Sequence, residues 1–486
     1  MKQYIFKLSA AAALAAIAAQ SNAIPPPPPP TAAQLAVDDD IAYAIVQDLA
    51  TQIGQRLAGT SAEQRARDWA VQRLTAMGFA NVREESFMMP TWVRGEEQME
   101  IISPSAIPIK LTALGNSGST GEKPLEGEIA YFKSFDDFTS ASDNQIKGKI
   151  VFIDHQMIRT QDGSSYRYFG RARFQGPNLA AKKGATALLV RSIGTGRHND
   201  PHTGNTNFDI GVTPIPAAAV SPLDSDKFVA AYWNARSTRD ASKKCDTYFG
   251  CPVYPLKVRL TLTPKQLGPQ KSGNVIAEAT GSNPALPPIL IACHLDSWDL
   301  ATGAIDDASG CGIITAAAHY AQKAGGTRRT IRILWAGAEE VGIWGGKDYA
   351  LKHGNEPHAL AMESDFGADR VWAADFILPG SAKALRARIS AALGLLGIVP
   401  RTEKADGGAD VEAIIAAQGL GIIDLKQDGT RYFDLHHNAG DTLDKIDKAQ
   451  LRQNVVAWAT VLQEVANYEG ELKPEPITPT TTGTKL

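Results

Sequence analysis

His294-Leu295-Asp296-Ser297-Trp298-Asp299 follows the apolar run Pro288-Ile289-Leu290-Ile291-Ala292, and Gly303-Ala304-Ile305-Asp306-Asp307-Ala308-Ser309-Gly310 comes next. A short apolar run, then polar residues, then helical spacing reads as a buried strand, a loop and a helix. The stretch therefore delivers a histidine and several carboxylates to the end of a buried strand. Imidazole and carboxylate without thiolate is the ligand mixture of a catalytic zinc site.

Working outward, Asn274-Val275-Ile276-Ala277-Glu278 opens a regime of alternating elements. Strands are predicted over 289–292, 330–335 and 360–363, with helices over 309–323, 346–352, 382–393 and 450–468. That alternation argues an α/β fold, a mostly parallel mixed sheet flanked by helices. In such sheets sites gather at the carboxyl ends of strands. Upstream, Ile41, Ile45, Leu49, Ile53 and Leu57 keep helical spacing, and Thr60-Ser61-Ala62-Glu63 reads as the cap of a second helix. Strands follow over 82–89 and 99–102.

Between 106 and 263 the texture changes to short strands (127–132, 149–153, 185–190), a helix over 178–183 and loops rich in Gly, Ser, Asp and Asn. We read this part as an inserted β-rich domain. Its Gly148-Lys149-Ile150-Val151-Phe152-Ile153 and Ala180 to Val190 pieces resemble a protease-associated domain. The division is then 38–105 with 264–470 as the catalytic domain, 106–263 as the insertion, and 471–486 as a disordered tail rich in Pro and Thr.

Further ligand candidates end the other strands. Ile331 to Ala336 leads to Glu339-Glu340, Met362-Glu363-Ser364-Asp365 closes another, and a later loop carries His436-His437-Asn438-Ala439-Gly440-Asp441-Thr442. Each has a plain structural explanation: paired glutamates start helices, Asp306-Asp307 caps one, and a lone His294 is a hydrogen-bonded core residue. Five such positions in one α/β unit are not accounted for by five independent caps. Elsewhere, His353 and His358 read as solvated. His198 and His202 read as surface residues of an insertion loop, touching substrate only if that loop approaches the cleft. Asp410, after Gly407-Gly408-Ala409, reads as a helix cap or a substrate contact. Ser309 lacks a Gly-x-Ser-x-Gly elbow and is no nucleophile.

The motifs His-Leu-Asp-Ser-Trp-Asp, Gly-Ala-Ile-Asp-Asp, Ala-Glu-Glu-Val-Gly, Met-Glu-Ser-Asp and His-His-x-x-Gly-Asp-Thr together resemble the co-catalytic di-zinc aminopeptidase family, in its carboxypeptidase Q-like branch. The resemblance runs from about Asp38 to Tyr468. It implies two zinc ions bridged by Asp306, with His294 and Asp365 completing one site and Glu340 and His437 the other. His437 is preferred to His436 because the family histidine precedes the Asp-Thr aspartate by four positions. Glu339 is then the general base, Asp296 orients His294, and Asp306-Asp307 is a cis peptide. Three carboxylates and two histidines offset most of the charge of two dications and leave room for a water. His436 is the candidate oxyanion donor. The branch implies free-amino short peptides or dipeptides as substrates, and a homodimer in which the insertion shapes the cleft. Two other readings are a non-catalytic receptor-like relative of the fold and a single-zinc glutaminyl cyclase. The full ligand and base set argues against the first, and the bridging Asp306 against the second.

The chain has 486 residues, with 49 basic and 52 acidic side chains for a net charge of −3. That balance gives no reason to expect nucleic-acid or anionic-membrane binding. Lys2 and Lys7 precede an apolar run ending in Ser21-Asn22-Ala23, the pattern of a signal peptide over 1–23. A proline-rich spacer (24–37) follows. No cysteine follows the cleavage site, which argues against a lipid anchor. The expected location is exported, periplasmic or extracellular. Cys245 and Cys251 are placed to close a small disulfide ring, whereas Cys293 and Cys311 read as buried free thiols.

Overall fold

The computed structural model describes residues 30–237, 254–403 and 405–475. Two eight-stranded sheets organise it. In the first, the strand order is Ala80–Val93, Lys265–Ala279, Ile331–Ala336, Ile289–His294, Leu360–Glu363, Gly421–Gln427, Val371–Ile377 and Val399–Pro400. The four strands from Ile331–Ala336 to Gly421–Gln427 run parallel, and antiparallel pairings flank them on both sides. The mixed, centrally parallel sheet agrees with the sequence reading.

The central strands are mostly apolar because both faces are covered, the exceptions being Arg332, paired with Glu278 and Glu356, and Asp424 with Lys426. Ile289, Ile291, Ile331, Ile333 and Trp335 pack on one side against the helix Ser309–Lys323, and the helix Lys448–Asn467 packs on that helix within the same core. Leu290, Ala292, Leu334 and Ala336 pack on the other with Tyr349, Val411 and Ile414, from the helices Trp344–His353 and Ala409–Gln418. Period-two alternation between two buried faces leaves Ile289 to Cys293 without a charged position until His294 ends the strand.

The second sheet has the order Ile107–Pro108, Glu97–Ser103, Lys257–Leu262, Leu125–Phe132, Ile150–Ile153, Ala187–Arg191, Ala217–Val220 and Leu111–Ala113. Glu97–Ser103 pairs with Lys257–Leu262, so the chain enters this sheet ahead of residue 106. The unit also carries helices, notably Gly176–Lys182 and Pro222–Ser237, and is mixed α/β where a β-rich unit was expected. Its core continues into the first unit through Trp92, Trp298, Ala338 and Val341.

Three local expectations change. Cys293 and Cys311 form a disulfide with a Cα–Cα separation of 5.2 Å, because the helix Ser309–Lys323 starts beside the end of the His294 strand. Residues Ala32–Ala36, assigned to the spacer, form a helix capped by Thr31 that buries Ala32 and Ala36. Leu472 is fully buried in the main core, so packed chain extends beyond residue 470. Thr60 does accept from Glu63 N at the start of the helix Ser61–Ala76. The signal-peptide motif, Cys245, Cys251 and residues 476–486 lie outside the described residues. Among the described residues no helix is long and apolar enough to cross a membrane.

Candidate active site

His294, Glu339-Glu340, Asp365 and His436-His437 follow four neighbouring parallel strands, so the sheet brings their loops together at its carboxyl edge. Register fixes the arrangement: Ala292 pairs with Glu363, and His294 with Ala336. Asp306 stands at the centre. Its Oδ1 lies 3.0 Å from His294 Nε2, and its Oδ2 lies 3.2 Å from His437 Nε2. His294 Nε2 is also 3.5 Å from Asp365 Oδ1, and His437 Nε2 is 2.9 Å from Glu340 Oε2. Two donor sets thus share one carboxylate.

These spacings test whether the residues fit a metal. Donors around one zinc-sized cation, with bonds of about 2.0–2.1 Å, sit about 3.3 Å apart at tetrahedral angles. The observed separations match that edge length. Asp306 Oδ2 and Asp365 Oδ1 are buried and accept no directed hydrogen bond despite the imidazole nitrogens nearby. Burial raises the Glu340 carboxyl to about 7, although His437 pulls the other way. Burial likewise pushes Glu339 well up, reinforced by Asp365, Asp410 and Glu340. Burial works against a charged His437, but Glu340 and Asp306 outweigh it and hold the ring at about 9. A buried nest of mutually repelling carboxylates is a donor set that cations relieve. The residues fit.

Other acids hold the backbone. Asp307, across a cis peptide from Asp306, accepts from His294 N at 3.2 Å and Gly310 N at 2.9 Å. Gly310 is required there, since a Cβ would lie 1.9 Å from Ser364 O. Asp441 accepts from Ile305 N (2.6 Å) and Asp306 N (3.2 Å). Asp296 lies against His294 as expected and has a second task. Its carbonyl oxygen is 3.0 Å and its carboxylate 3.7 Å from His294 Nδ1, while the carboxylate also accepts from Glu339 N (2.9 Å) and Glu340 N (3.3 Å). It therefore fixes the glutamate loop as well as the imidazole.

A cleft of about 770 Å³ opens over this centre, lined by Glu339, Glu340, Asp365, His436 and His437 from the first unit and by Tyr166, Arg173 and Asn205 from the second. His436 lines it with Nε2 3.7 Å from Asp306 Oδ2, stacked on His437 at 3.5 Å. Burial, then His437, holds His436 well below the usual imidazole range, so it is neutral. Asp410 is fully buried beneath the wall formed by Gly407, Gly408 and Ala409, and does not itself line the cleft.

Several contributors carry no motif. Arg56, fully buried, donates from Nε to Leu295 O at 2.7 Å and from its terminal nitrogens to Thr302 O and Gly303 O. Arg173 places Nη1 3.4 Å from His437 Nδ1. His202 is buried where exposure was expected, because the insertion loop docks on the ligand loop: its Nδ1 meets His436 O at 2.7 Å, and Asn438 Nδ2 lies 3.1 Å from its Nε2. Thr203 N donates to His437 O at 2.9 Å, and Thr203 O lies 3.3 Å from His437 Nδ1. His198 Nε2 lies 2.8 Å from Asp434 O. His353 and His358 are also buried, the first between Glu85 and Glu356 and the second against Tyr349 Oη at 2.7 Å. Isolated residues far apart in the chain give no sequence signal for such contacts.

Comparison with known proteins places this geometry. The family model for peptidase family M28 matches residues 274–462. Carboxypeptidase Q from Homo sapiens is 30% identical over 424 residues, covering 87% of this chain and 84% of the relative. The chain belongs to peptidase family M28. A peptidase M28 precursor from Shewanella amazonensis, solved by crystallography, is 38% identical with a TM-score of 0.85, over 92% of this chain and 98% of that one. A zinc aminopeptidase from Bacillus subtilis shares the fold at 18% identity and a TM-score of 0.60, over 88% of this chain and 95% of that one. This M28 protein is a metallopeptidase of the co-catalytic zinc family.

Proposed function

We infer that this M28 protein is an exported di-zinc exopeptidase that removes amino-terminal residues from short peptides or cleaves dipeptides. The observation that carries the reading is Asp306, whose two oxygens face two separate imidazole–carboxylate pairs. In this reading Asp306 would be shared by two metals, with His294 and Asp365 available to hold one and Glu340 and His437 the other. Zinc there would polarise the scissile carbonyl and acidify water. Glu339, in the cleft and fixed through its amide by Asp296, accepts the proton of the attacking water and returns it to the leaving amine. Neutral His436 donates to the developing oxyanion. The second sheet is the protease-associated domain, and it supplies one wall of the cleft.

The test is hydrolysis of free and amino-blocked dipeptides, with metal content measured alongside. Two zinc ions per chain, loss of turnover on chelation and activity on free-amino substrates alone are expected. Chelator-resistant turnover would sink the metal mechanism, and equal cleavage of amino-blocked substrates would sink the aminopeptidase reading.

A further inference from the structure

Glu363 closes the strand Leu360–Glu363 two residues before Asp365, and its two oxygens have different surroundings. Oε2 accepts from Asp410 N at 2.8 Å and Val411 N at 3.2 Å, capping the ten-residue helix Ala409–Gln418. Oε1 is buried and has no hydrogen-bond partner, although Glu363 lines the cleft beside Glu339 and Asp365. Gly408, at φ +108°, lays its backbone over this carboxylate so closely that a Cβ would stand 2.5 Å from Oε2. Behind it Asp410 is 0% exposed with both carboxylate oxygens unpartnered, and Glu363 is the charged group acting most strongly on it.

Charge and distance narrow what this corner accepts. Two dications would be balanced by the carboxylates of Asp306, Glu340, Asp365 and the neighbouring Glu339, leaving the charge of Glu363 and Asp410 unmatched. No imidazole faces Glu363 Oε1 within hydrogen-bond reach, and half of its carboxylate is committed to helix amides, so it is a poor ligand set for a further metal. In an amino-terminal residue the α-nitrogen stands about 2.5 Å from the carbonyl carbon, so its subsite must adjoin the reacting centre. Glu363, next to Glu339 and Asp365, stands there.

We propose that Glu363 Oε1, backed by the buried Asp410, is the subsite for the substrate's primary ammonium group. It selects peptides with a free amino terminus. This deepens the exopeptidase reading and rests on it. Charge-assisted hydrogen bonds of this kind correspond to about 10- to 100-fold in binding.

The experiment uses zinc-loaded protein, n-hexylamine and n-hexanol as calorimetric probes, and a free-amino dipeptide as substrate. Wild type binds hexylamine in preference to hexanol. Glu363→Gln retains an oxygen for the helix amides, so its fold and two zinc ions persist while hexylamine binding weakens about 10-fold or more and KM rises more than kcat falls. Asp410→Asn, which keeps the backbone contact to Glu363, weakens amine binding in the same direction. Should Glu363→Gln fail to fold, Asp410→Asn decides. Amine binding within twofold of wild type in the folded variants overturns the subsite, as does a third metal ion per chain lost with Glu363. If no peptide is hydrolysed yet amine binding depends on Glu363, the exopeptidase reading fails and the subsite stands.

Discussion

Replacing His202 by Ala tests whether the second sheet unit holds one half of the metal site. His202 is fully buried and bonded on both ring nitrogens, to His436 O at 2.7 Å and to Asn438 Nδ2 at 3.1 Å. Burial keeps it neutral, with its pKa lowered to about 3. The Nδ1–H tautomer therefore donates to the carbonyl, and Nε2 accepts from the amide. Ala removes both bonds and leaves a buried carbonyl and amide unsatisfied, a loss of about 2–4 kcal/mol. Spread over a chain of this size, that lowers Tm by about 2–4 °C. The larger effect is local. His437 loses the docked backbone that aims its Nε2 at Asp306 and Glu340, and removing support of this kind weakens metal binding about 10- to 100-fold. His294 and Asp365 are anchored by Asp307, Asp296 and the sheet instead. Stepwise chelator titration followed by metal analysis should show one zinc ion lost early in His202→Ala and one retained at wild-type affinity. His202→Gln, which can both donate and accept, should recover part of the difference. Loss of both ions in parallel, or unchanged affinity with lowered Tm, would refute a clamp on His437.

Other outcomes follow from the same contacts. Glu339→Gln should lower kcat by about 100- to 10,000-fold with metal content intact, measured by turnover and metal analysis; near-wild-type turnover rules out the base. Replacing Cys293 and Cys311 together by Ala removes a cross-link between residues 18 apart in sequence. A melt under non-reducing conditions should register a loss of about 3 kcal/mol. His358 is held at about 4 against 6.5, mainly by burial, then by Arg332. As pH falls from about 6.5 to about 4 the unfolded chain gains a proton that folded His358 resists, so stability declines by about 3 kcal/mol over that window. Denaturant titrations should show a shallower decline in His358→Gln; an unchanged slope refutes the assignment.

The parallel sheet and the edge that carries the site were legible because strands buried on both faces carry apolar runs, and the polar residues that follow those runs mark their ends. Ile289 to Ala292 before His294 and Ile333 to Ala336 before Glu339 are of this kind. Contacts between distant segments were not legible. Arg56 serves backbone carbonyls at Leu295, Thr302 and Gly303, and a carbonyl has no sequence signature. His202 looked like any loop histidine until its loop docked on His436. Glu97–Ser103 alternates like a strand of either sheet, and only its partner Lys257–Leu262 decides which. The Cys293–Cys311 bond depends on where a helix begins relative to a strand end, which residue spacing does not encode.

The density of carboxylates in the opening motif resolves into two populations once hydrogen-bond partners are assigned. Asp296, Asp307 and Asp441 each commit both oxygens to backbone amides. Such a carboxylate has its charge stabilised locally and few lone pairs left for a cation. Asp306 Oδ2 and Asp365 Oδ1 accept nothing from the backbone and face imidazoles. Glu363 is split, one oxygen on amides and one free. The division follows from cost: a buried carboxylate without donors is unstable unless a cation completes it. Acids with amide partners build the frame, and acids without them mark where positive charge must bind. By that criterion Asp306 and Asp365 belong with the metals, and Glu363 stands half in the frame and half in the substrate's path.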